Sequence, residues 1–186
     1  MTKNELEAEA NRVIVGAKYL LELQGNFPAM FLVHHPREGW QNSQLPAGSQ
    51  HLMNSGDAKR EIFGFFRTLI RERGCDGAIF ASDTWQMKLT TEGEKHLDEY
   101  QQHVDSGFAK LVQMGWAMRE EALTISAQNK DDALLIVQPY RRLTSGIQLL
   151  AGRREWFPQA NFGGRQKMFG DLRAENLGEH PDDPAR

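Results

Sequence analysis

The chain has one cysteine, Cys75, among its 186 residues. That excludes an intramolecular disulfide framework and a multi-cysteine zinc site, and it fits a reducing compartment. No apolar run approaches the roughly 20 residues that a membrane-spanning helix needs. The opening stretch, MTKNELEAEANR, is polar and acidic and lacks the apolar core of a secretory signal. These absences point to a soluble, cytoplasmic protein. The formal net charge of -3 argues against whole-molecule attraction to nucleic acid or to an anionic membrane. A hydrophobic fraction of 40% is low for a globular domain and implies that part of the chain is not packed. No internal repeat is present, and no motif calls for a cofactor or a metal. Gly163-Gly164 lacks the strand before and helix after that a nucleotide-binding loop requires.

Several patterns are clear within this frame. Leu6, Ala10, Val13, Ile14, Ala17, Leu20 and Leu21 recur at helical spacing over residues 4–24, and Gly25 with Pro28 supplies the stop. Residues 29–33 read as a short buried strand between Pro28 and Pro36. Residues 36–53 read mostly as loop, with a poorly patterned strand near Trp40 as the alternative. A second helix starts at Ser55 or Asp57, sets Ala58, Ile62, Phe65, Phe66, Leu69 and Ile70 on its apolar face, and ends at Gly74. A strand follows at 77–86. Residues 91–104 look helical and polar nearly all round, and that helix extends toward Met118. Residues 122–126 alternate with the two-residue period, 133–137 are continuously apolar, and 128–132 carry turn chemistry. An antiparallel hairpin is expected there.

The expected architecture is α+β, a mixed sheet of about four strands with two principal helices on one face. Strands 29–34 and 77–85 are expected as parallel neighbours joined by a right-handed crossover, with a meander through 39–53 as the competing topology. Residues 1–145 form the domain and 87–118 are a helical insertion. Residues 146–177 are an irregular basic and aromatic extension, and the acidic, Pro-rich end at 178–186 is expected to be disordered.

Asp83-Thr-Trp85, Arg119-Glu-Glu-Ala-Leu123 and Pro139-Tyr-Arg-Arg142 follow an N-terminal helix and strand in this chain. In that combination the chain resembles small uncharacterised bacterial and phage proteins with an acidic-x-Trp strand end and an Arg-x-Glu-Ala-Leu strand. The likeness spans residues 4–142. Those proteins usually carry Glu at the position of Asp83 and a shorter insertion. The resemblance implies an α+β fold and no particular activity.

Three groups of residues are candidates for function. His34 or His35, Ser82 and Asp83 would meet at coincident C-terminal strand ends if the two strands were parallel. A His–Asp pair there could act as general base or hold a metal, with Glu121 beside it. Adjacent histidines on a strand point to opposite faces, so only one of them can serve. The second group arises because the hairpin brings Arg119 or Glu121 near Arg141 or Arg142, close to Asp83. Such charges pair structurally or present arginine to a phosphate or carboxylate. The third is the stretch 141–173, with seven basic residues against two acidic ones and with Trp156, Phe157, Phe162 and Phe169 interleaved. It suits docking onto the domain or a partner subunit, with single-stranded nucleic-acid binding by Arg153, Arg154 and Trp156 as the alternative. Trp85 shares a strand face with Asp83 and either walls a crevice or fills the core. Cys75 reads as a small, partly buried residue, and His96, Glu99 and His103 as a solvated helix face.

The resulting expectation is a non-catalytic binding or accessory protein acting through a protein partner or self-association. The binding residues would be Trp85, Arg141, Arg142, Arg153, Arg154 and Trp156. The rival is a small hydrolase or metal-dependent enzyme built on His34, Asp83 and Glu121.

Overall fold

The computed structural model describes residues 1–43, 56–96, 99, 108–161 and 168–169. A long N-terminal helix, α1 (Lys3–Gln24), is followed by the strands β1 (Met30–His35) and β2 (Gly39–Ser43). Next come α2 (Gly56–Glu72) and β3 (Gly77–Leu89), then two short helices, α3 (Thr91–Lys95) and α4 (Phe108–Gln113). The chain continues through β4 (Ala117–Asn129), β5 (Asp132–Leu143), β6 (Gly146–Leu149) and β7 (Arg153–Pro158). A 3-10 turn at Gln159–Asn161 follows. The seven strands form one curled sheet in the order β2-β1-β3-β4-β5-β6, with β7 also on β5.

Every pairing in this sheet is antiparallel, which overturns the mixed sheet of about four strands. Strands 29–34 and 77–85 are neighbours, but they run in opposite directions, with His34 opposite Gly77 and Met30 opposite Ala81. The reason lies at residues 39–43, which turn back on β1 as a hairpin and take the sheet edge. β1 is antiparallel to both of its neighbours, so β2 and β3 run parallel to each other. The crossover through α2 therefore joins β2 to β3, across β1.

The two long helices also lie on opposite faces rather than on one. Leu6, Ala10, Val13, Ile14, Ala17 and Leu21 of α1 pack on Leu32, Ile79, Ala81, Leu123, Ile125 and Leu134. Ile62, Phe63, Phe66 and Ile70 of α2 pack on Phe31, Val33, Ala78 and Phe80, the alternate residues of β1 and β3. Phe66 stacks on Phe31 with ring centroids 3.5 Å apart. Strands covered on both faces read as unbroken apolar runs, and 77–81 is such a run.

Helix α1 is closed at both ends. Thr2 and Glu5 form a reciprocal capping box, the Thr2 backbone N–H donating to Glu5 Oε2 at 2.7 Å. Gly25 takes the left-handed conformation at φ 72° and donates to the Leu21 carbonyl at 2.8 Å.

Residues 146–158, expected as the start of an irregular extension, form an edge of the sheet. β6 pairs with 140–143 and β7 with 132–137, and both run in the same direction along β5. They are two halves of one edge strand. Leu149 is opposite Tyr140 and Arg153 opposite Val137, so residues 150–152 stand against 138–139. That is a one-residue β-bulge. Gln138 Nε2 donates to the Leu150 carbonyl at 2.5 Å, and Leu150 N–H donates to the Pro139 carbonyl at 2.9 Å. The charged β7 holds its place through one neighbour, with Trp156 set against the core.

The insertion is shorter than 87–118, because β3 and β4 pair continuously from Gly77↔Asn129 to Leu89↔Ala117. Helix does not extend to Met118, since α4 ends at Gln113 and Met118 pairs with Lys88. α3 seats Gly93 so closely on the Trp116 backbone that a Cβ there would lie 1.9 Å from the Trp116 carbonyl oxygen. Beyond His96, the remainder of 91–104 apart from Glu99 lies outside the described residues, as do Phe162, Arg165, Lys167, Arg173 and the tail at 178–186. Among the described residues, no helix is long and apolar enough to cross a membrane.

Candidate functional site

The antiparallel register separates the residues expected to meet. His34 and Asp83 lie on the same sheet face, the one covered by α1. His34 sits opposite Gly77, six residues before Asp83 along β3, a separation of roughly 20 Å at strand rise. His35 turns to its local loop, its Nδ1 accepting from the Arg37 N–H at 3.3 Å. Asp76 partners His34 instead, with Nδ1 and Oδ1 2.6 Å apart. The Met1 ammonium donates to the other Asp76 oxygen at 2.6 Å. Burial alone would raise the Asp76 carboxyl, but the hydrogen bonds from the ammonium and His34 outweigh it and hold the group below its ordinary 3.8.

At the far end of α1 a second charged group forms around Tyr140, which is 1% exposed. Its hydroxyl donates to Asp83 Oδ1 at 2.6 Å and lies 3.4 Å from Glu121 Oε1. Arg142 donates through Nε to Glu121 at 2.8 Å and through Nη2 to the Tyr140 oxygen at 3.0 Å. Its Nη2 is 3.6 Å from Asp83 Oδ2, and its Nη1 donates to the Gly25 carbonyl at the end of α1. Register explains the assembly, since Glu121 pairs with Tyr140 on adjacent strands. Burial pushes the Asp83 carboxyl up, more than the Tyr140 hydrogen bond and the Arg142 charge pull it down, and Glu121 adds to the rise. Burial and donation to Asp83 push the Tyr140 phenol well above its ordinary range. The phenol is therefore a fixed donor at neutral pH, and the arginine is tied to three acceptors.

Trp85 lies opposite Glu121 on this same face, two residues beyond Asp83, and is 65% exposed. It neither fills the core nor sits under α1. Arg141 is exposed, turned to the opposite face and paired in register with Gln148. Arg154 reaches Glu7 of α1 at 3.8 Å, and Lys3 lies 4.3 Å over the Trp156 ring. Phe169 is buried in the α2-side core. Cys75 is buried, and that burial raises its thiol. His96 stacks on Trp116 at 4.6 Å and faces Glu92 and Glu99, while His103 lies outside the described residues.

On the α2 face, beyond α2 itself, the bulge opens a groove of about 530 Å³. Gln86, Lys88, Glu120, Pro139, Leu150 and Arg153 contribute to its lining. Glu120 accepts from Gln86 at 2.9 Å and pairs with Lys88 at 3.8 Å. Farther along the same lane Ser82 is buried, and its hydroxyl has no partner among the described residues.

The outer face of α1 carries Val15, Tyr19 and Leu23, which are 66%, 63% and 65% exposed. These three fall outside the apolar stripe read from the sequence, because they form a second stripe on the opposite side of the helix. Asp76 and Tyr140 also went unread. The signal for Tyr140 was present in the hairpin register, whereas Asp76 depends on the direction of β1 relative to β3. Comparison with protein-family models, curated proteins and solved structures returns no match.

Proposed function

We propose that this is a non-catalytic binding protein that acts through protein–protein contacts. The carrying observation is the outer stripe of α1, where Val15, Tyr19 and Leu23 recur every fourth residue at more than 60% exposure. Large apolar side chains scattered singly are ordinary surface, but three in line on one helix match the anchors by which a helix face is read. Trp85 beside Glu121, with Arg142 near, adds the residue types that dominate binding energy at interfaces. The polar groups that could do chemistry are occupied structurally. Asp83 accepts from Tyr140, Glu121 accepts from Arg142, and Asp76 accepts from His34.

An enzyme built on His34, Asp83 and Glu121 finds no support in a separation of roughly 20 Å. Nucleic-acid stacking by the basic segment is disfavoured because Trp156 is covered by Lys3 and Phe169 is buried.

The test is a photo-cross-linking amino acid placed at Tyr19, at Trp85 and, as control, at the exposed Lys130. Protein adducts are expected at the first two positions and not at Lys130, with the Tyr19 adduct lost when Leu23→Glu is added. Equal yields at all three positions, or none, would overturn the proposal.

A further inference from the structure

We propose that the partner of the α1 face is a second copy of this chain. The two α1 helices pack antiparallel about a two-fold axis between Val15 and Gly16. This rests on the binding reading above and specifies its partner.

Between Leu6 and Leu23 the exposed residues of α1 are Ala8, Arg12, Val15, Gly16, Tyr19, Glu22 and Leu23. An axis between 15 and 16 matches each residue with the one whose number completes 31. Ala8 then meets Leu23, Arg12 meets Tyr19, and Val15 meets Gly16. Each of these three pairings sets a small residue against a large one, or a cation against an aromatic ring; Glu22 comes level with Glu9, the partner of Arg12. Glu22 lies one turn from Tyr19 on the same side, so the Arg12 guanidinium of one copy falls beside Glu22 of the other, twice by symmetry. A two-fold interface demands this self-complementarity, in which residue i meets j and j meets i.

Two features of α1 favour a close helix partner here. A Cβ at Gly16 would meet nothing within 4 Å among the described residues. Glycine in mid-helix weakens the helix, and no described neighbour requires it there. At a crossing point it lets a second backbone approach. Charge is the other. Arg12 is 73% exposed although it pairs with Glu9, and Glu22 makes no ion pair among the described residues.

The experiment uses sedimentation on the full chain, with single and compensating charge reversals. The wild type is expected to dimerise. Arg12→Glu and Glu22→Arg each weaken the dimer about tenfold, since each disrupts two symmetric pairs, and the double variant recovers most of the loss. Register is read by disulfide capture. Ala8→Cys protein mixed with Leu23→Cys protein should cross-link under mild oxidation, while either alone should not, and the buried Cys75 stays silent. Efficient cross-linking of Ala8→Cys with itself would overturn the antiparallel arrangement. A wild type that stays monomeric at high concentration would overturn self-docking. In that case, adducts to a different protein at Tyr19 would leave the binding reading standing, whereas absence of adducts at both Tyr19 and Trp85 would remove that as well.

Discussion

The two ends of α1 rest on the same sheet face, and each meets a carboxylate there, yet the two carboxylates behave oppositely. At the N-terminal end Asp76 receives a donor on each oxygen, from the Met1 ammonium and from His34. At the C-terminal end Asp83 shares Tyr140 and Arg142 with a second carboxylate, Glu121. Asp76 is held below its ordinary value and Asp83 above it. Burial pushes both groups upward; at Asp76 the ammonium and His34 outweigh it, whereas at Asp83 it outweighs the Tyr140 hydrogen bond and the Arg142 charge. The C-terminal group is also tied to a buried aromatic ring, whereas the nearest ring to His34 is Trp40, edge-on at 5.2 Å and only partly buried. One end is therefore held mainly by packing and the other mainly by charge.

The largest break in this comparison should come from Tyr140→Ala. The ring is among the largest fully buried side chains, and removing it leaves a cavity and strips Asp83 of its donor. The expected loss is about 3–5 kcal/mol, read from the denaturation midpoint. Trp40→Ala at the other end should cost well under half of that. Equal losses would mean that the N-terminal end is packed as firmly as the C-terminal one.

How much of this was legible in the sequence follows the same division between packing and charge. The buried face of α1, its stop at Gly25, most of the apolar face of α2 and the 122–137 hairpin were legible, because each is written in periodicity or turn chemistry; on α2, Phe65 is 51% exposed and Phe63 is buried in its place. The nearness of Glu121 to Arg142 followed from that hairpin. The edge strands were hardly legible. β2, GWQNS, and β7, RREWFP, each bond along one side to a neighbour and carry few apolar residues, so no alternation marks them. A strand near Trp40 stood only as the alternative to a loop, and preferring the loop reversed the direction assigned to β1 relative to β3. That one reversal moved the partner of His34 from Asp83 to Asp76. The outer stripe of α1 is hidden for another reason. A helix buried on one face is not expected to show a second apolar line, and the buried stripe accounts for the periodicity without Val15, Tyr19 and Leu23.

A smaller effect is expected from Arg142→Ala, which leaves Asp83 and Glu121 without their shared cation and the α1 C-terminus without its side-chain donor. The loss should be about 1–2 kcal/mol, moderated because the guanidinium is partly solvated. Adding Glu121→Gln should recover part of it by removing the repulsion between the two acids. If that addition made matters worse, Glu121 would be acting through the Tyr140 hydroxyl rather than through charge.

The smallest effect is also the one that tests the comparison most directly. Asp76 is depressed when folded, so its contribution to stability is present above the unfolded value near 3.8 and is lost as pH falls through the folded value. Asp83 is raised when folded, so its contribution has the other sign. It favours the folded state below the unfolded value and fades as pH rises through the folded one. Carboxyl chemical shifts followed through an acid titration should show Asp83 protonating first on the way down and Asp76 last. In stability against pH, Asp76→Asn should flatten the acid limb, whereas Asp83→Asn should steepen it, because the opposing term has been removed. Two carboxyls that titrated together would mean that the ammonium and His34 do not outweigh burial at Asp76, and the contrast between the two ends of the helix would fall.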